Sequence, residues 1–218
     1  MTLIFENVEI HTPDGTKLLQ IPSVSLGTGL IALTGGNGAG KSTLIRTIFG
    51  LHPLKTGSIK FQDLDSRKQR AAFLKASIYQ FQNFTAYPEL TGLEFLVHAA
   101  RLRGVGKNAA KNNAKLWMSA VGLGHATTAR TRAYSQGMLQ RLGLAYVLQI
   151  ETPFCVLDEP FAGVDPSGRA ALGQLLREAA EKRIILISTH YSDELKTIGA
   201  GEIHIENKTL TVKREASV

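Results

Sequence analysis

The stretch GGNGAGKST, residues 35–43, constrains the fold more than any other part of this chain. It joins the apolar run LIALTG (30–35) to KSTLIRTIFG, so it reads as a strand, a glycine-rich turn and a helix. Gly35, Gly40, Lys41 and Ser42 stand at the spacing G-x-x-x-x-G-K-[ST], in the strand-to-helix context that this spacing requires. Glycines let backbone N–H groups approach several phosphate oxygens, and the helix that follows adds its positive dipole end. Lys41 supplies a mobile point charge for β- and γ-phosphates, and the Ser42 hydroxyl is a ligand for Mg²⁺. Gly36, Asn37, Gly38, Ala39 and Thr43 complete the candidate phosphate-binding loop.

Strand-like and helix-like segments alternate on both sides of this loop. LIFENVEI (3–10), SIKFQ (58–62), SIYQF (77–81), FCVLD (154–158) and IILIST (184–189) read as strands. The helix PSGRAALGQLLREAAEK separates the last two, and EIHIENKTLTVKR reads as a hairpin turning at Asn207 and Lys208. Between about Leu90 and Leu148 the pattern is helical only, which reads as an insertion. Apolar strands alternating with helices predict a parallel α/β sheet covered on both faces.

Two further strand ends carry chemistry. FCVLDEP places Asp158 and Glu159 at the carboxyl end of a buried strand, the edge where an open α/β sheet binds ligands. Asp158 there is suited to hold Mg²⁺ and to border the nucleotide, and Glu159 to act as general base on an attacking water. A helix cap with two solvated carboxylates is the plainer reading, and the phosphate loop weighs against it. His190 ends the strand IILIST at the same edge, where it would bond the γ-phosphate and the attacking water.

Composition excludes several other classes. The lone cysteine, Cys155, rules out an internal disulfide framework. The start MTLIFENVEI has no basic segment ahead of a long apolar run, so no signal peptide is expected, and no stretch of about 18 apolar residues suggests a membrane span. The formal net charge is +7, but the 25 lysines and arginines are scattered and not interleaved with aromatics, so no nucleic-acid partner is expected.

The order of these motifs resembles ABC-type ATPases over nearly the whole chain: GGNGAGKS, a glutamine after an extended segment, a helical block ending in Ser-x-Gly, Asp-Glu-Pro, and a strand ending in His. YPELTGLEFL (87–96), YSQGMLQRLGLAYVL and FAGVDP look most like the nucleotide-binding subunits of bacterial exporters. The resemblance implies a P-loop NTPase sheet of ABC ATPase type, with an N-terminal antiparallel β region and an inserted α-helical subdomain. The RecA-like core would occupy about 1–86 and 152–218, and the helical subdomain about 87–151. It also implies an ATP-hydrolysing motor that dimerises with a second ATPase subunit around two Mg²⁺-ATP. That motor would drive a separately encoded membrane permease, from a cytoplasmic position peripheral to the cell membrane. A soluble, nucleotide-switched assembly factor without a permease is the alternative.

Residue by residue, the resemblance implies that Gln82 senses Mg²⁺ and the attacking water and couples to the membrane subunit. Gln80 is a rival, but the distance to YPELTG favours Gln82. The face around Gln82, Phe84 and Tyr87 is expected to dock a short helix of that subunit. Asp165 matches a loop that crosses the dimer interface and is also placed to cap the helix at Pro166. The segment Ser135, Gln136, Gly137 matches the signature that faces the ATP of the partner subunit; Gln136 replaces a glycine and Met138 a glutamine. The position at which the family commonly stacks an aromatic on adenine falls on Thr12, with His11 beside it.

Overall fold

The computed structural model describes residues 1–190 and 199–216. They divide into two units: residues 1–79, 152–158, 173–190 and 199–216 in the first, and 80–151 and 159–172 in the second.

The first unit holds the large sheet. Its strands are β1 (Thr2–His11), β2 (Lys17–Gly27), β3 (Gly29–Gly35), β4 (Thr56–Phe61), β5 (Leu64–Asp65), β6 (Ser77–Gln80), β7 (Phe154–Asp158), β8 (Ile184–Ser188), β9 (Gly201–Glu206) and β10 (Thr209–Arg214). They run in the order β5-β4-β1-β2-β10-β9-β3-β8-β7-β6. The β5-β4-β1-β2 end is antiparallel, whereas β3 pairs in parallel with both β8 and β9, and β7 with β8. Strands β7 and β8 are buried along their whole length, as apolar runs covered on both faces must be.

The strand β2 is absent from the sequence-based expectation. It carries Pro22, which has no N–H for a ladder, opposite Asn7, where β1 takes a left-handed φ of 47°. The apolar alternation Leu19, Ile21, Val24 and Leu26 nevertheless points inward. The β9–β10 hairpin turns at Asn207 and Lys208, both at positive φ, as expected.

Aromatic rings knit the core of this unit. Phe154 at the start of β7 stacks on Phe61 at 5.6 Å and on Phe49 at 6.2 Å, and meets Phe73 edge-on at 6.2 Å. Phe49 stacks in turn on Tyr79 at 5.0 Å. Removing a fully buried ring of this kind costs about 3–5 kcal/mol.

The second unit is built on α3 (Gly92–Leu102), α4 (Lys107–Ala120) and α5 (Gln136–Leu148), which follow α1 (Lys41–Ile48) and α2 (Arg70–Lys75) of the first unit in chain order. α6 spans Pro166–Ala180. Thr91 starts α3 with a reciprocal cap, its side chain accepting from the Glu94 amide while Glu94 accepts from the Thr91 amide. Leu96, Ala100, Ala110, Ala114 and Met118 are the buried stripes by which α3 and α4 pack, and α5 is buried over most of its length from Gln140 onward. Of the face expected to dock a helix, Phe84 is buried against Phe95 and Tyr146, whereas Gln82 and Tyr87 are exposed.

Candidate active site

In the first unit, β3 delivers the glycine loop into α1. Gly35 has φ 146°, and a Cβ there would lie 2.7 Å from the carbonyl oxygen of Ile205, so only glycine fits. Gly40, at φ 105°, precedes the first helical residue in the left-handed region. The tip formed by Gly36, Asn37 and Gly38 is exposed, Ala39 is half-buried, and the helix start carries Lys41, Ser42 and Thr43. Lys41 folds back over the loop, its Nζ donating to the carbonyls of Gly35 at 2.8 Å and Gly36 at 3.3 Å. The ammonium is thereby held at the loop by its carbonyls.

Sheet register brings the acidic edge to this loop. Asp158 ends β7 directly opposite Ser188 of β8, and Ser188 lies opposite Leu33 of β3. Asp158 Oδ1 accepts a short bond from the Ser188 hydroxyl and lies 3.4 Å from Ser42 Oγ; the Tyr79 hydroxyl donates to Oδ2 at 3.4 Å. Burial and the neighbouring Asp158 charge push the Tyr79 phenol well above its usual range, so it stays a donor. Sequence reasoning did not name Tyr79 or Ser188, because their approach to Asp158 depends on strand pairing.

Ser42 and Asp158 offer hard oxygen donors a hydrogen bond apart, which suits Mg²⁺. Among the described residues no three His, Cys, Asp or Glu side chains gather to hold a metal.

His190 follows β8 in this unit and is exposed. Thr12 lies in the turn after β1, where its hydroxyl bonds Asp14 and the carbonyl of Thr16. His11 is half-buried, with Nε2 3.4 Å from Glu9, and its carbonyl accepts from His52.

In the second unit, Glu159 is 7% exposed and has a left-handed φ of 51°. Such a conformation in a non-glycine residue costs about 1–3 kcal/mol and gathers at functional sites. Gln82 lies exposed in the loop after β6, whereas its rival Gln80 is fully buried and donates to Gln140 Oε1 at 2.8 Å. Ser135 caps α5, accepting from the Met138 amide at 3.2 Å, and is exposed together with Gln136. Gly137 approaches the next loop closely; a Cβ on it would lie 2.6 Å from the Gly163 carbonyl oxygen.

Asp165 holds that loop by three bonds. Its carboxylate accepts from the Ser167 hydroxyl, from the Gly168 amide at 2.9 Å and from Arg141 Nη2 at 3.0 Å. These donors lower its pKa to about 2. The structure therefore gives Asp165 the capping position at the start of α6.

A protein-family model for the ABC transporter family matches residues 22–162, more than half of the chain. The chain belongs to the ABC transporter family. By that membership it is an ABC-type ATPase domain. It is 34% identical over 185 residues to the uncharacterized ABC transporter ATP-binding protein YxlF of Bacillus subtilis, covering 85% of this chain and 61% of that protein. It is 39% identical over 168 residues to the probable multidrug ABC transporter ATP-binding protein YbhF of Escherichia coli, covering 77% of this chain and 28% of that protein. This ABC domain thus spans less than two thirds of the length of either relative. Its fold matches the ATP-binding cassette MJ0796, solved as a dimer in a post-hydrolysis state with ADP and Pi. That match has a TM-score of 0.83 at 20% identity and covers 97% of each chain. No helix among the described residues is long and apolar enough to cross a membrane.

Proposed function

We propose that this domain hydrolyses ATP as the motor of an ABC-type exporter, working as a dimer with a second ATPase subunit around two nucleotides. The observation that carries the reading is the gathering of Lys41, Ser42 and Asp158 at the carboxyl edge of the parallel strands. The loop from Gly35 to Thr43 cradles the phosphates, with Lys41 turning from the Gly35 and Gly36 carbonyls to the β- and γ-phosphates. Ser42 and Asp158 are the residues to hold Mg²⁺, with Gln82 from the following loop. Bound there, the ion supplies positive charge against the phosphate oxygens.

Glu159 accepts the proton of the attacking water, and His190 bonds that water and the γ-phosphate. The turn at Thr12 borders the base; its hydroxyl is committed to Asp14 and Thr16, so it contributes shape and no stacking ring. Ser135, Gln136 and Gly137 at the start of α5 present amides and a positive dipole end to the nucleotide of the partner subunit, and Asp165 lies in the loop at that interface. The dimeric arrangement reported for MJ0796 supports this reading, and the probable multidrug transport of YbhF supports export.

A separately encoded permease is proposed to dock on the second unit, which holds the domain at the cytoplasmic face of the membrane. A largely apolar groove of about 780 Å³ there is lined by Tyr87, Leu90, Leu93, Val97, Arg101 and Lys107 among others. It suits one short amphipathic helix. The test of the whole reading is Lys41→Ala in the purified protein. Mg²⁺-dependent ATP turnover is expected to vanish while the far-UV spectrum and melting are retained. Turnover at the wild-type rate would refute the assignment of the loop.

A further inference from the structure

Gln80 and Gln140 are both fully buried, and Phe84, also buried, approaches Gly143 of α5 together with Gln80. Gln80 Nε2 donates to Gln140 Oε1 at 2.8 Å, and Gln140 Nε2 donates to the main-chain carbonyl of Gln82 at 2.7 Å. The next turn of α5 is cleared for this pair: a Cβ on Gly143 would lie 2.7 Å from Gln80 Nε2 and 2.8 Å from the Phe84 ring. The arrangement is a poor way to gain stability. The Gln80 Oε1 is buried with no hydrogen-bond partner among the described residues, and such an orphaned acceptor costs about 1–3 kcal/mol. Two apolar side chains of the same shape would avoid that cost.

What the pair does accomplish is geometric. Gln140 lies on the same helix as the capping Ser135, little more than one turn further on, so α5 ties the signature segment to the backbone of Gln82 through one side chain. We propose that Gln140 is a positioning residue for Gln82, braced from behind by Gln80. It fixes where the exposed Gln82 side chain is presented, and it carries displacement of the start of α5 into that loop. The inference rests on the reading of Gln82 as the residue that serves the reaction.

The test is a cycle of variants measured for ATP turnover, nucleotide affinity and melting in the purified protein. The pair variant Gln80→Met/Gln140→Met replaces both buried partners by apolar residues of similar shape, and solvent can take over the carbonyl of the exposed Gln82. It should melt like the wild type and bind a fluorescent ATP analogue within about two-fold, yet lose about ten-fold or more in kcat. In a Gln82→Ala background the same pair should cost less than about two-fold more, because the side chain it positions is gone. Gln140→Asn keeps the amide but falls one methylene short, and must lose kcat in the same Gln82-dependent way. Full kcat in either Gln140 variant, with Gln82→Ala impaired, overturns the positioning role and leaves the reading of Gln82 standing. An equal loss in both backgrounds also overturns it. Full kcat in Gln82→Ala overturns the reading of Gln82 itself.

Discussion

Gly137→Ala sets helix propensity against a backbone contact, and the geometry decides between them. In a helix interior, replacing glycine by alanine gains about 0.5–1 kcal/mol, which is the upper bound for the first turn of α5. Against this, the new Cβ would stand 2.6 Å from the carbonyl oxygen of Gly163, well inside van der Waals contact. The obstacle is main chain, so no rotamer change relieves it; the segment around Gly163 must move by a few tenths of an ångström or more. Overpacking of this kind costs about 1–3 kcal/mol, so the net expectation is a destabilisation of about 0–2.5 kcal/mol. At this chain length that is a fall in Tm of up to about 10 °C. Because the displaced segment leads into Asp165, ATP-driven dimerisation should weaken more than binding of ATP to the monomer. Calorimetry gives the first quantity, and chromatography with Mg²⁺-ATP beside a nucleotide titration gives the second. A raised Tm with unchanged dimerisation would refute the close contact between Gly137 and Gly163.

Two other outcomes follow from the second unit. The Asp165 carboxyl, lowered to about 2 by Ser167, the Gly168 amide and Arg141, gives support to the loop that is fully present above its ordinary pKa near 3.8 and is lost as pH falls toward 2; an NMR titration with its midpoint near 3.8 would contradict the bonding described. Ser135→Arg should abolish hydrolysis while leaving ATP affinity of the monomer near wild type, since Ser135 is proposed to meet the partner's nucleotide; a loss of monomer affinity as large as that of Lys41→Ala would place the signature in its own subunit's pocket.

Legibility in the sequence tracked how local each interaction is. The strand, glycine loop and helix around Lys41 are encoded within twenty residues, and the alternation of β7, α6 and β8 is nearly as local. The β9–β10 turn was readable from Asn207 for the same reason. The pairing of Asp158 with Ser188 and Tyr79 was not, because it depends on strand order and register across a long insertion. Pro22 hid β2, since a proline argues against a strand unless the partner backbone bends at the same point, as Asn7 does. Phe84 and Tyr87 are equally aromatic and three residues apart, yet one is core and the other surface; nothing in the local pattern separates them. Nothing local in the sequence separates Gln140 from an ordinary polar helix residue. Its burial and its reach to Gln82 are tertiary facts.

We propose that this ABC domain closes as a dimer around ATP and that Glu159 takes the proton from the attacking water. Glu159→Gln tests it most directly, because an amide still bonds water but cannot accept its proton. Light scattering coupled to size-exclusion chromatography, run with Mg²⁺ and ATP, reads the trapped state while phosphate release is followed in the same sample. The account predicts a stable dimer and no turnover in the variant, against mostly monomer in the hydrolysing wild type. Hydrolysis at the wild-type rate, with no dimer accumulating, would contradict it.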